Sequence, residues 1–319
     1  MSDALNPNAP YVRHISSSEG RFTRWTLDLI LRLRVKRKYR YGFDVVAYRQ
    51  RQARLEPKLS SVDPSSRRTP CNCDGVPADW VEVPESRNDK VVLYLHGGAW
   101  VCSYPNLHHN LVARLCRQIG AKALMVDYRL APEHRFPAAI DDCWSAWRWL
   151  LAQGVAAKDI VIAGDSAGGN LSLALLHRIK AAGDDMPACA VLISPVVDFT
   201  LSSPSMVTNE KRDSMFTGAR MIGLRHLYID AAQMLHPDAS PLFADYRGLP
   251  PLLFQSSESE MLRDDSLRAA AKANASGVKI EVELWADMPH VFQSMQMLPQ
   301  SQAALENMAD FIRRHSGWN

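Results

Sequence analysis

From residue 79 onward, short apolar runs alternate with longer stretches in which apolar residues recur every three or four positions. The runs WVEVP, KVVLYLH (90–96), KALMVDY (122–128), DIVIAG (159–164), CAVLISPVV (189–197), LLFQSS (252–257) and VKIEVELW (278–285) predict β-strands. Helical spacing predicts helices over 107–120 and 138–153, after Ser166, from about Asp264, and over about 300–314. The strand runs are mostly continuous, as in a parallel sheet buried on both faces. Strand and helix in turn predict an α/β fold: a mostly parallel central sheet with helices on both sides. No internal repeat interrupts this order.

Two regions depart from the rhythm. Residues 1–55 carry helical patterns, RFTRWTLDLILRLRVKRKYR and then FDVVAYRQRQARL. Residues 199–240 break the sheet after the 189–197 strand and contain Met206, Met215, Met221 and Met234. An insertion at the C-terminal end of such a strand lies where α/β sheets bind ligands. The expected organisation is an N-terminal helical cap segment over 1–55 and a catalytic domain over 56–319, with a cap insertion at about 199–240.

Composition adds limits. A chain of 319 residues that is 47% apolar can bury a large core. With 37 basic and 34 acidic residues, the total charge implies no nucleic-acid partner. The balance is uneven, because residues 1–60 hold 13 Lys/Arg and 5 Asp/Glu, leaving 24 against 29 for the rest. Arg32, Arg34, Lys36, Arg37, Lys38 and Arg40 lie beside Trp25, Leu29, Ile30 and Leu33. We expect there the charged outer face of a lid helix, not a membrane contact. The N-terminus is polar and no apolar run is long enough to cross a bilayer, so a cytoplasmic protein is expected. Cys71, Cys73, Cys102, Cys116, Cys143 and Cys189 lack zinc-site spacing and are expected as buried free thiols in a reducing compartment. No metal ion is expected.

The candidate chemistry lies in VIAGDSAGGNLSLALL (161–176), which reads as a strand, a glycine turn and a helix. Its Gly164-Asp165-Ser166-Ala167-Gly168 is a G-x-S-x-G pattern. Three fixed positions match by chance about 0.1 times in a chain this long, so partners must decide the reading. A nucleophilic serine needs a base and amides that hold the developing oxyanion. The Ala167 N–H, at the start of a helix, is the natural first donor. His96-Gly97-Gly98-Ala99-Trp100 follows the 90–96 strand, and its paired glycines allow close backbone approach to a substrate. The base should follow the last strand, where VELWADMPHVFQSM places His290. For the carboxylate, QSSESEMLRDDSLR offers Glu258, Glu260, Asp264 and Asp265.

HGGAW, VDYRLAPEHRFPAAIDD (126–142), GDSAGGN and SPVVD (194–198), in that order, resemble the hormone-sensitive-lipase-like branch of the α/β-hydrolase esterases. The resemblance spans roughly residues 75–315. It implies an α/β-hydrolase fold with Ser166 as nucleophile and His290 as base. The family's HGGG loop carries over to Gly97 and Gly98 as oxyanion donors beside Ala167. Ala99 stands where a third glycine is usual. Aligning Leu262, Asp264 and Asp265 with the family's D-x-L-x-D-[DE] puts Glu260 on the acid, a Glu for the commoner Asp. Asp264 then reads as an N-cap for the next helix. Asp127, Tyr128 and Glu133 are architectural in this pattern. Trp100 and Met215 are expected to touch substrate.

The implied activity is hydrolysis of short- to medium-chain esters without any cofactor, with lactones or aryl amides as alternative substrates. A ligand-binding receptor is a second class, but such relatives lose the histidine that His290 retains. The expected partner is a small-molecule ester, and homodimer formation is left open.

Overall fold

The computed structural model describes residues 6–38 and 44–318. Arg40 of the basic stretch lies outside them. The chain opens with strand β1 (Val12–Ile15), then α1 (Arg21–Leu31), which continues as a wider π-type turn over Arg32–Lys36, and α2 (Val45–Leu59). The hairpin β2 (Arg67–Cys73) and β3 (Val76–Glu82) leads into β4 (Arg87–Leu95), α3 (Pro105–Ile119), β5 (Ala121–Val126) and α4 (Ala138–Ala152). Then come β6 (Ile160–Asp165), α5 (Ala167–Ala182) and β7 (Cys189–Ile193). The short α6 (Ser205–Thr208) and α7 (Gly218–Tyr228) precede β8 (Leu252–Ser257), α8 (Arg263–Ala275), β9 (Ile280–Trp285) and α9 (Pro299–Ser316).

The strands form one sheet in the order β1-β9-β8-β7-β6-β4-β5-β3-β2. All neighbours are parallel except β3, which runs antiparallel to both β2 and β5. Leu93, Ile162, Leu192 and Phe254 pack on one face, under Trp147 of α4, Leu171 of α5 and Leu267 of α8. Val92, Tyr94, Val161 and Val191 pack on the other, under Leu115 of α3 and Phe311 of α9. Burial on both faces explains why the strand runs do not alternate with polar residues. Trp147 is fully buried, and truncating such a side chain to alanine costs about 3–5 kcal/mol. All six cysteines are free; five are buried and Cys71 is half-buried.

The N-terminal region departs from its purely helical expectation. Residues 12–15 form the edge strand of the sheet, with Val12 opposite Val282 and Ile15 opposite Trp285. The 55/56 boundary also falls inside α2, which Asp44 caps by accepting from the Ala47 N–H at 3.1 Å. In α1 no residue is buried, and the exposed face is the apolar one. The lid-helix reading expected a charged outer face. Instead Arg32 donates to the carbonyls of Lys211 (2.8 Å) and Arg212 (2.5 Å), and Lys36 to that of Asp213 (2.7 Å). These two cations therefore face the protein body.

Candidate active site

β4, β6, β8 and β9 all end on the same side of the sheet because they are parallel, so the loops after Leu95, Asp165, Ser257 and Trp285 converge there. This gathering of C-terminal strand ends is where α/β folds build sites.

Ser166 forms the turn between β6 and α5, with φ 54° and ψ −114°. That backbone is strained for a residue with a side chain, and such strain costs on the order of 1–3 kcal/mol. It is held by the Ser166 N–H donating to Ile193 O at 2.7 Å and by Ser166 O accepting from Asn170 N at 3.1 Å. The flanking glycines are required by packing. A Cβ on Gly164 would strike Gly168 O, and one on Gly168 would strike Leu95 O.

His290 is buried in the loop after β9. Its Nδ1 lies 2.6 Å from Glu260 Oε2, and the Phe216 ring meets its imidazole edge-on at 4.9 Å. Glu260 is 1% exposed. Its second oxygen, Oε1, accepts from Ser257 N at 2.7 Å and Ser194 Oγ at 2.8 Å, leaving Oε2 for the histidine. The other candidate acids are engaged elsewhere. Glu258 pairs with His14. Asp265 accepts from Val197 N at 2.8 Å and from Ser203 Oγ. Burial, with Asp198 nearby, pushes the Asp265 carboxyl up to about 7. Asp264 is not the N-cap expected of it, because Leu262 occupies that position. Asp264 instead accepts from Ser205 N at 2.8 Å and Arg263 Nε at 2.7 Å, tying α8 to α6.

The glycine loop requires a correction. The Gly97 amide does not open on the cavity, since it donates to Asp165 Oδ1 at 2.9 Å. Asp165 also accepts from Tyr94 Oη at 2.7 Å and lies 3.4 Å from His108 Nε2. Burial works to raise the Asp165 pKa, but His108 and these donors together hold it down to about 2. Gly97 is thus the rigid base of the loop. Beyond it Gly98, Ala99 and Trp100 have φ of 127°, 56° and 59°. Three consecutive positive φ values wind the loop into a tight turn, closed by the Val101 and Cys102 N–H groups donating to Gly98 O at 3.1 Å. Among the described residues, no partner accepts from the amides of Gly98, Ala99 or Ala167.

His96 stacks on Tyr128 with ring centroids 4.2 Å apart, and burial beside His108 lowers its pKa to about 4. It is a neutral, structural histidine at neutral pH. Tyr128 donates to His96 O at 2.7 Å and is likewise architectural.

Ser166 and His290 both line a cavity of about 260 Å³. Its walls include Met215, Phe216, Arg220 and Leu224 from the 199–240 insertion, and Val35, Tyr48 and Gln52 from the N-terminal region. A second pocket of about 20 Å³ reaches Ser166 past Ala99. Trp100 lines that pocket, not the larger cavity, and stacks on Tyr228 at 4.5 Å.

Asp213 belongs to no motif in the sequence. It is buried and accepts from Met215 N (2.7 Å), Phe216 N (2.8 Å) and Met261 N (2.8 Å), which joins the insertion to the loop bearing Glu260. Burial raises its pKa against these donors. The local signal is an Asp in a loop, whose side chain commonly accepts from the backbone amide two residues on, here Met215.

Residues 92–294 match a family model described as the alpha/beta hydrolase fold. A crystal structure of an esterase from the bacterial hormone-sensitive lipase family superposes with a TM-score of 0.86 at 34% identity, covering 92% of this chain and 98% of that one. The chain belongs to the hormone-sensitive-lipase branch of the α/β-hydrolases. This α/β-hydrolase is also 37% identical over 256 residues to an esterase of Acinetobacter venetianus, covering 80% of this chain and 84% of that protein. A crystal structure of EstE5 soaked with p-nitrophenyl butyrate gives a TM-score of 0.86 at 38% identity, over 92% of this chain and 98% of that one.

Proposed function

We propose that this α/β-hydrolase cleaves carboxylic esters of small acids by a serine acyl-enzyme route. The observation that carries the reading is the buried Glu260–His290 pair at 2.6 Å, in the wall of the cavity that also contains Ser166. In this reading His290 Nε2 takes the Ser166 hydroxyl proton as Oγ attacks the ester carbonyl. The tetrahedral oxyanion is held by the Gly98, Ala99 and Ala167 amides, with Ala99 in place of Gly97, whose amide Asp165 already holds. His290 then protonates the departing alcohol, and a water activated by the same imidazole releases the acid. Glu260 fixes the tautomer with the proton on Nδ1 and balances the imidazolium. A Glu serves here because Ser257 N and Ser194 Oγ hold its longer side chain from behind.

Cavity size supports the substrate class. A space of about 260 Å³ lies at the small end of ligand sites, and a side pocket of about 20 Å³ holds roughly one water-sized group. One arm of the ester is therefore very small, and acyl chains of about two to eight carbons fit the remainder. The esterase name of the Acinetobacter relative and the butyrate ester used with EstE5 point the same way. The N-terminal segment and the 199–240 insertion together act as the cap, since both line the cavity.

The test is a panel of p-nitrophenyl esters of increasing acyl length, run with wild type and Ser166→Ala, with and without a serine-directed phosphonate. Turnover that peaks at short chains and is lost in the variant and on labelling is expected. Turnover by the folded Ser166→Ala protein would sink the reading.

A further inference from the structure

We propose that the face of the α1 helix and its π-type continuation is a docking surface for an anionic lipid bilayer. Phe22, Trp25, Leu29 and Leu33 recur at helical spacing along one stripe, with Ile30 at its margin. All are exposed, Phe22 by 77% and Trp25 by 62%, and the Phe22 and Trp25 rings lie against each other with centroids 6.3 Å apart. An amphipathic helix on a globular protein ordinarily buries this stripe. Here the stripe faces outward instead, while Arg32 and Lys36, seven residues beyond Trp25 and Leu29 and so on its flank, bind the carbonyls of residues 211–213.

The charge around the stripe selects the occupant. Arg21, Arg34 and Arg37 are exposed at its borders, and residues 1–60 carry 13 Lys/Arg against 5 Asp/Glu while the remainder of the chain is net acidic. Aromatic and aliphatic side chains ringed by cations fit the headgroup region of a bilayer with negative lipids. A second copy of this chain would have to offer matching acidic charge, whereas its own corresponding face is basic. Val35, two residues beyond Leu33, lines the cavity that contains Ser166. Val35 faces away from the stripe, so docking places this one helix between the bilayer and the cavity. Binding itself does not depend on the proposed chemistry.

The experiment is co-sedimentation of the full chain with vesicles of phosphatidylcholine alone or with about 30 mol% phosphatidylglycerol, at low and high salt. Binding only to the anionic vesicles, weakened by salt, is expected. Arg34→Gln with Arg37→Gln should lower the partition coefficient about thirtyfold. Phe22→Ser, Trp25→Ser and Leu29→Ser together should abolish binding, with p-nitrophenyl butyrate turnover in solution unchanged. Absence of binding to anionic vesicles at low salt overturns the proposal, as does binding that neither variant alters. A wild-type dimer in solution that the triple variant converts to monomer also overturns it, by assigning the stripe to self-association.

Discussion

Ser194 donates its hydroxyl to the Glu260 oxygen that His290 does not use, at 2.8 Å. The carboxylate is thereby aimed from behind by a residue at the end of β7, one strand away from its own loop. Ser194→Ala removes this donor but keeps the Ser257 amide. A hydrogen bond to a carboxylate contributes about 1.5–3 kcal/mol, so kcat for p-nitrophenyl butyrate should fall roughly tenfold to hundredfold. KM should stay unchanged, since Ser194 is a positioning residue. A change confined to KM would contradict this role.

Among the four nearby acids, Glu260→Gln should cost roughly 10³ to 10⁴ in kcat, by analogy with the serine-protease carboxylate. Glu258→Gln should be nearly silent because its partner, His14, is a half-exposed surface residue. Asp264→Asn and Asp265→Asn keep acceptor oxygens and should alter melting temperature more than rate. Steady-state kinetics of the four variants under one condition checks the order.

Asp165 ties Gly97, Tyr94 and His108 together beneath the glycine loop. Its folded pKa of about 2 lies below the ordinary 3.8, so its stabilisation is present above pH 4 and is lost as pH falls towards 2. That linkage is worth on the order of 2 kcal/mol. Asp165→Asn should lower urea stability by about this amount at pH 7, and the gap to wild type should narrow from pH 4 to pH 3. A gap that stays constant across this range would contradict the linkage.

Ala99 has φ 56°, a conformation that penalises a Cβ by roughly 1–2 kcal/mol. Ala99→Gly removes the strain and gives back about 0.4–1 kcal/mol of unfolded-state entropy. The net expectation is a gain of about 0.5–1 kcal/mol in stability, measured by denaturant unfolding. The lost methyl also joins the larger cavity to the small pocket, so bulkier alcohols should gain in kcat/KM.

Arg32 and Lys36 hold residues 211–213, and Asp213 in turn holds Met215 and Phe216 over His290. Arg32→Ala with Lys36→Ala should therefore raise KM several-fold by loosening the cavity wall, with a smaller change in kcat. An unaltered KM would show that the wall stands without these bonds.

Much of the sheet was legible in the chain because buried parallel strands such as β6 and β7 are unbroken apolar runs. The edges were not. β1 is only VRHI, and its partner β9 lies at the far end of the chain. β2, RRTPCNC, is mostly exposed and carries a proline, although the Asp74-Gly75 turn after it, with φ of 53° and 96°, is a hairpin signal that sequence alone displays. Ser166 and His290 could be located by motif and chain order. The commitment of the Gly97 amide could not, because it depends on β4 lying beside β6, which brings Asp165 under the loop. The outward-facing stripe of α1 was hidden for the same reason: the carbonyls that hold Arg32 lie about 180 residues away in sequence.

The pairing of β1 with β9 has a consequence for the order in which the molecule is made. Arg13 meets Glu283 across that pairing, 270 residues further along the chain. A ribosome adding about 5–20 residues per second releases the first strand well before its template exists. β1 therefore stays unpaired until β9 has been made, whereas α1 and α2 meet their own partners earlier in the chain. Tyr48 and Arg49 instead meet partners within residues 101–133, so that part of the cavity wall can form while β1 is still unpaired.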